Sequence, residues 1–202
     1  LKAKINNFWD YWRTYNYEDY CLAEIIEDIE IYKKNKKKLV FYEIGANVGY
    51  STIFVAKLLE HLGTVCAFEI EPANFKNLND NIIINKIKNC NLVNIGVSNK
   101  NQIQRFYYNT KFNNNKFNLP VSSMGMHSMK FNQKIHKEHV FSNFVFMKYD
   151  FLIENLGLDY PTHIFIDAYG AEGQIIDSIL SSSKKEMLPK KIMVDIEESG
   201  IK

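Results

Sequence analysis

Cysteine is scarce: Cys21, Cys66 and Cys90 are the only three in 202 residues. The number is odd and no two stand at C-x-x-C spacing. That excludes a disulfide framework and a thiolate zinc site, and it fits reduced thiols in the cytoplasm. Neither sign of charge is in excess. Lys and Arg number 25 against 23 Asp and Glu, a formal net charge of +2. The chain therefore lacks the basic footprint of a nucleic-acid binder, and it has no Asn-Pro-Pro-Tyr-like base-flipping element. It also lacks the unbroken apolar run of about 18 residues that a membrane span needs. The best candidate, 39–59, is interrupted by Glu43, Asn47, Ser51 and Lys57. No secretory apolar segment opens the chain, and Leu1 is not an initiator methionine, so further residues are expected upstream.

What is present is the composition of a folded globular chain: 46% hydrophobic, 14% aromatic and 24% charged. A chain of this length buries about 70% of its extended surface and needs no metal or disulfide to hold it together. Residues 1–32 show an amphipathic helical spacing through Ile5, Phe8, Trp12, Tyr15, Leu22, Ile25, Ile26 and Ile29. A lysine-rich turn at 33–38 ends it, which sets apart an N-terminal segment over 1–38. From Leu39 the rhythm changes. Strands are expected at 39–44, 64–70, 91–97, 143–148, 163–167 and 191–196. Helices are expected at 50–61, 73–85, from Asp150, and at 171–180. Short strands alternating with helices imply parallel pairing through right-handed crossovers, hence a doubly wound α/β domain over 39–202. Residues 99–142 break the alternation and read as an insertion: a short hairpin plus a loop around 113–128.

The most informative segment is Glu43-Ile44-Gly45-Ala46-Asn47-Val48-Gly49, at a strand-to-helix turn. Glycines there permit close main-chain approach to a ligand and leave helix N-terminal amides for an anionic group. The spacing is G-x-x-x-G. The third glycine of nicotinamide oxidoreductases is missing, and no Walker lysine follows. Glu69 lies 24 residues beyond Gly45, at the end of the next strand. A carboxylate there can accept two hydrogen bonds from ribose hydroxyls, at the sheet edge where open α/β folds bind ligands. The plainer alternative is that the glycines serve only a tight turn and that Glu69 caps the following helix.

Together with Tyr50-Ser51, the run Ala67-Phe68-Glu69-Ile70-Glu71-Pro72-Ala73-Asn74-Phe75, Ser122-Ser123-Met124 and Ile166-Asp167-Ala168-Tyr169-Gly170-Ala171-Glu172, this segment resembles the FkbM family of S-adenosylmethionine-dependent methyltransferases. The resemblance runs from about Leu39 to Glu198. It implies a Rossmann-like class I methyltransferase fold and methyl transfer to a hydroxyl of a small acceptor such as a sugar or glycan precursor. In that reading Gly45 and Gly49 seat the amino-acid part of S-adenosylmethionine, Glu43 and Asn47 anchor it, and Glu69 holds the ribose. Gly96, Val97 and Ser98 border the adenine. Asp167 is the first candidate for general base or acceptor-orienting group, with His127 and Glu172 behind it. His136 and His139 stand three apart without a recognisable third ligand, so no metal is expected. Phe165 and Tyr169 depart from the lysine and glutamate that the family carries there. The sequence also ends at Lys202, before the antiparallel hairpin such domains carry after the fifth strand. These departures motivate an alternative, a nucleoside- or partner-binding module without turnover.

Overall fold

The structure is a computed structural model, and it describes residues 19–109, 139–168 and 170–195. Helix α1 (Asp19–Lys34) leads into strand β1 (Leu39–Ile44). Then follow α2 (Tyr50–Leu59), β2 (Gly63–Phe68), α3 (Pro72–Ile84), β3 (Cys90–Val93) and β4 (Gly96–Ser98). The chain continues with β5 (Gln102–Asn109), β6 (His139–Lys148), α4 (Tyr149–Leu156), β7 (His163–Ile166), α5 (Glu172–Leu180) and β8 (Lys191–Val194). The central sheet has the order β3-β2-β1-β7-β8, and every pairing in it is parallel.

β1 is a continuous apolar run broken only by Glu43, and all six of its residues are buried. This is the pattern of a central strand covered on both faces. Its side chains alternate between two cores. Val40, Tyr42 and Ile44 pack with Leu152 and Ile153 of α4 and with Ile175 and Ile179 of α5. Leu39 and Phe41 pack on the opposite face with Ile25 and Ile29 of α1 and with Val55, Ala56 and Leu59 of α2. Ala46, Ile53 and Ala67 close the second face against Leu78 and Ile82 of α3. By this alternation Glu43 falls on the face of Leu39 and Phe41, beneath α2.

α1 is held at the starting edge of the sheet by polar contacts as well as by its two isoleucines. Lys191 Nζ lies 2.7 Å from Asp28 Oδ2 and 3.2 Å from Glu24 Oε2. Asp28 Oδ2 also lies 3.3 Å from Nε2 of His163, which is buried. Burial holds the His163 pKa below its ordinary value against the opposing pull of Asp28. The expectation of an N-terminal amphipathic helix is met from Asp19 on; the earlier residues lie outside those described.

Two strands differ from their expected form. Residues 91–97 do not make a single strand. The chain breaks after Val93, where Asn94 Nδ2 donates to Glu69 O (2.6 Å) and Ile70 O (3.1 Å). This side chain satisfies main-chain carbonyls at the end of β2 and turns the backbone away from it. β4 then joins a second sheet of order β4-β6-β5, parallel to β6. β5 and β6 pair antiparallel from Gln102↔Phe146 to Asn109↔His139, so the strand expected at 143–148 starts at His139 and lies in this second sheet as the partner of β5, not in the central parallel sheet, and the hairpin is not confined to 99–142. The loop expected around 113–128 lies outside the described residues.

Candidate cofactor site

The site is built where β1, β2 and β7 end side by side. Gly45 N and Ala46 N both donate to Phe68 O (2.9 and 3.0 Å), and Asp167 N donates to Ile44 O (2.9 Å). The turn after β1 passes through three residues at positive φ: Gly45 (95°), Asn47 (51°) and Gly49 (86°). A β-carbon on Gly45 would lie 1.8 Å from Asp167 O, and one on Gly49 would lie 2.3 Å from Leu78 Cδ1. Gly45 is therefore required by the protein's own packing against main chain, whereas Gly49 is favoured by its positive φ, since the Leu78 side-chain tip can shift. Close main-chain approach to a ligand is not needed to explain them.

Glu69 is brought against this turn. Its Oε2 accepts from Asn47 N (2.8 Å) and its Oε1 from Glu71 N (2.8 Å), so one buried carboxylate joins the β1–α2 turn to the β2–α3 turn. Burial pushes the Glu69 pKa up to about 7. The two amide hydrogen bonds oppose that rise, while the charges of Glu71 and Asp167 add to it. Glu69 does not cap the next helix. Glu71 does, accepting from Asn74 N at 2.7 Å with Pro72 in the first turn. An acceptor side chain before a helix-starting proline is a legible N-terminal signal, and it could have pointed to Glu71.

Glu43 stands two residues before the turn and only 2% exposed. Its carboxylate accepts hydrogen bonds from Ser51 Oγ and Thr52 Oγ1, in the first turn of α2. Burial lifts its pKa to about 7 against those two bonds. Glu43 therefore fixes the start of α2 from beneath and sits lower than the rim occupied by Glu69. Asn47 and Asn74 flank the carboxylate pair in sequence. The Oδ1 atoms of both are buried and have no hydrogen-bond partner. An acceptor left without a donor on Asn47, whose amide already meets the Glu69 carboxylate, suits a ligand rich in hydroxyl or ammonium donors, and the residues present thus fit the nucleoside and amino-acid ends of S-adenosylmethionine.

Asp167 follows β7 directly and is half-buried, with its charge felt at Glu69. Glu172 opens α5, and its Oε1 accepts from Gly170 N at 3.0 Å. Gly96 is enclosed by Phe146 and Ile70, whose side chains would meet an added β-carbon at 2.4 and 2.6 Å. Val97 and Ser98 are buried beside it, and Ser98 Oγ donates to Gln174 Oε1 at 3.1 Å. The structure thus brings Gly45, Asn47, Gly49, Glu69 and Asp167 to one edge. Gly96, Val97 and Ser98 fall on the second sheet's first strand, with Gly96 packed against Ile70. His127, Tyr169 and Ser122-Ser123-Met124 lie outside the described residues.

A doubly wound parallel sheet with strand order 3-2-1 and then two further strands, a glycine-bearing turn after the first and an acid after the second, defines a Rossmann-like α/β domain. The chain belongs to the FkbM methyltransferase family: its residues 43–200 match the Methyltransferase FkbM domain. Among solved structures it is similar to the methyltransferase FkbM from Methylobacillus flagellatus KT, at 13% identity and TM-score 0.45. That match covers 71% of this chain and 29% of the other. It is similar also to a precorrin-6y C5,15-methyltransferase from Geobacter metallireducens GS-15, at 17% identity and TM-score 0.40, over 74% of this chain and 51% of that one. A third match is SMU.1697c from Streptococcus mutans in complex with SAH, at 23% identity and TM-score 0.26, over 30% and 32% of the two chains. The chain thus spans less than a third of the Methylobacillus protein and about half of the Geobacter one. No curated protein matches it. Among the described residues no helix is long and apolar enough to cross a membrane.

Proposed function

We propose that this chain is an S-adenosylmethionine-dependent O-methyltransferase acting on a small hydroxylated acceptor, a sugar or glycan-precursor hydroxyl. The observation that carries this reading is the Glu69 carboxylate held against the Asn47 amide (2.8 Å) at the carboxyl edge of the sheet. Bound S-adenosylmethionine would supply an electrophilic methyl group. The chain's own task is then to hold the nucleoside, orient the acceptor and take the hydroxyl proton. Glu69 would hold the ribose and Asn47 would offer its orphaned Oδ1 to a donor. Asp167, adjoining Glu69 and half-buried, is assigned to the acceptor side as base or orienting group. Glu172 is already engaged by the Gly170 amide and is ranked behind it, together with His127. Residues 39–202 are assigned to the cofactor-binding domain and 1–38 to an N-terminal segment, whose helix α1 packs on the sheet through Ile25 and Ile29. Free Cys66 and Cys90 support a reducing, cytoplasmic setting.

The test is calorimetry with S-adenosylhomocysteine followed by methyl transfer to a panel of sugars and nucleotide sugars. Removing a charged hydrogen-bonding partner costs about 1.5–3 kcal/mol, so Glu69→Ala should weaken binding about tenfold or more. An absence of binding by the folded protein, or equal binding by the variant, refutes the reading. One observation favours a second reading, a nucleoside-binding module without turnover. Phe165, which stands where the family carries a lysine, is packed in the core with Ile25, Phe41 and Met193. Tight S-adenosylhomocysteine binding with no transfer to any acceptor would support that module.

A further inference from the structure

The contact between Glu69 and Glu71 joins two buried acids in one short turn. Glu69 is 7% and Glu71 4% exposed. The main chain of Glu71 donates to Glu69 Oε1 (2.8 Å) while its side chain accepts from Asn74 N (2.7 Å). Capping α3 thus fixes the residue whose amide fixes the Glu69 rotamer, and it places a second acid directly behind the first. We propose that Glu71 is a positioning residue for the ribose-holding carboxylate, and that its charge sets the pH at which Glu69 can take up a donor-rich ligand. The inference rests on the cofactor reading above and adds a residue and a proton linkage to it.

The physical chain is short. Hydroxyl donors favour the ionised form of Glu69. Among the described residues, the charged or titratable groups whose charges act on Glu69 are Glu71 from the start of α3 and Asp167 from the end of β7. Both disfavour ionisation, and the Asn47 and Glu71 amides favour it. With the Glu69 carboxyl at about 7, binding strengthens as pH rises through that value and releases a proton. Neutralising Glu71 removes one of the two repelling charges. If that lowers the Glu69 pKa by about one unit, the ratio of Kd at about pH 6 to Kd at about pH 8 falls from about 10 to about 2.

The experiment is calorimetric titration of S-adenosylhomocysteine into the full chain over about pH 5.5 to 8.5, in buffers of differing ionisation enthalpy. The proteins are wild type, Glu71→Gln, Glu71→Ser and Glu69→Gln. Serine is a capable neutral cap, so it keeps the test alive if the glutamine variant folds poorly. The expected result is a lower midpoint for both Glu71 variants, and for Glu69→Gln no proton release tied to a midpoint near 7. A uniform loss of affinity at every pH, with the midpoint unmoved, would make Glu71 merely structural and overturn the proposal. If Glu69→Gln keeps the wild-type pH profile, the proposal also falls. If wild type binds no S-adenosylhomocysteine at any pH, it is the cofactor reading itself that has failed.

Discussion

Replacing Gly45 by alanine tests how the turn is held. At φ 95° an L-residue is strained, and the new methyl carbon would start 1.8 Å from the Asp167 carbonyl oxygen. Relief requires β1 and β7 to separate at their carboxyl ends, against the bond from Asp167 N to Ile44 O (2.9 Å). Left-handed strain costs about 1 kcal/mol or more. Overpacking in a rigid site adds about 1–3, and a lengthened hydrogen bond about 1. The total of about 3–5 kcal/mol is a large fraction of the stability of about 5–15 kcal/mol that a folded chain has in all. Scanning calorimetry should show the melting temperature fall by about 10 °C, at about 2–4 °C per kcal/mol for a chain of this size. Gly157→Ala is the matched control. Its φ is also positive, at 61°, but nothing lies within 4 Å of an added β-carbon. It should lose only about 3 °C from backbone strain. Equal losses in the two variants would refute the claim that the Asp167 carbonyl dictates glycine at position 45.

Glu43→Gln addresses pH. The Glu43 and Glu69 carboxyls both rise in the fold to about 7 from an ordinary value of 4.5. The folded state therefore binds more protons than the unfolded state between those values, and stability falls as pH rises from 4.5 towards 7. Urea midpoints across that range should show a shallower decline in Glu43→Gln than in wild type; an unchanged slope would place the effect elsewhere. Asp28→Ala should loosen α1, because it leaves buried His163 and Lys191 without the carboxylate they share. A loss of about 1–3 kcal/mol is expected, with faster proteolysis within α1 as the check.

The sequence by itself determined the α/β alternation after Leu39, the parallel strands β1, β2, β7 and β8, and the meeting of the glycine turn with Glu69. These follow from local signals: the continuous apolar run of β1, helical spacing in α2 and α3, and strand ends that a right-handed crossover must bring to one edge. Its reading of how each side chain is used was less complete. The sequence marked Gly45 and Gly49 as turn residues, but not that an added β-carbon would meet Asp167 O and Leu78 Cδ1. Nor did it show that the Glu43 carboxylate accepts from Ser51 and Thr52. The capping role considered for Glu69 belongs to Glu71, and one expected strand divides where Asn94 reaches back to the end of β2. The reason is physical. Periodicity reports which face of an element is apolar. Which carboxylate meets which amide depends on contacts between residues far apart in the chain, and only the assembled sheet brings those groups within hydrogen-bonding distance.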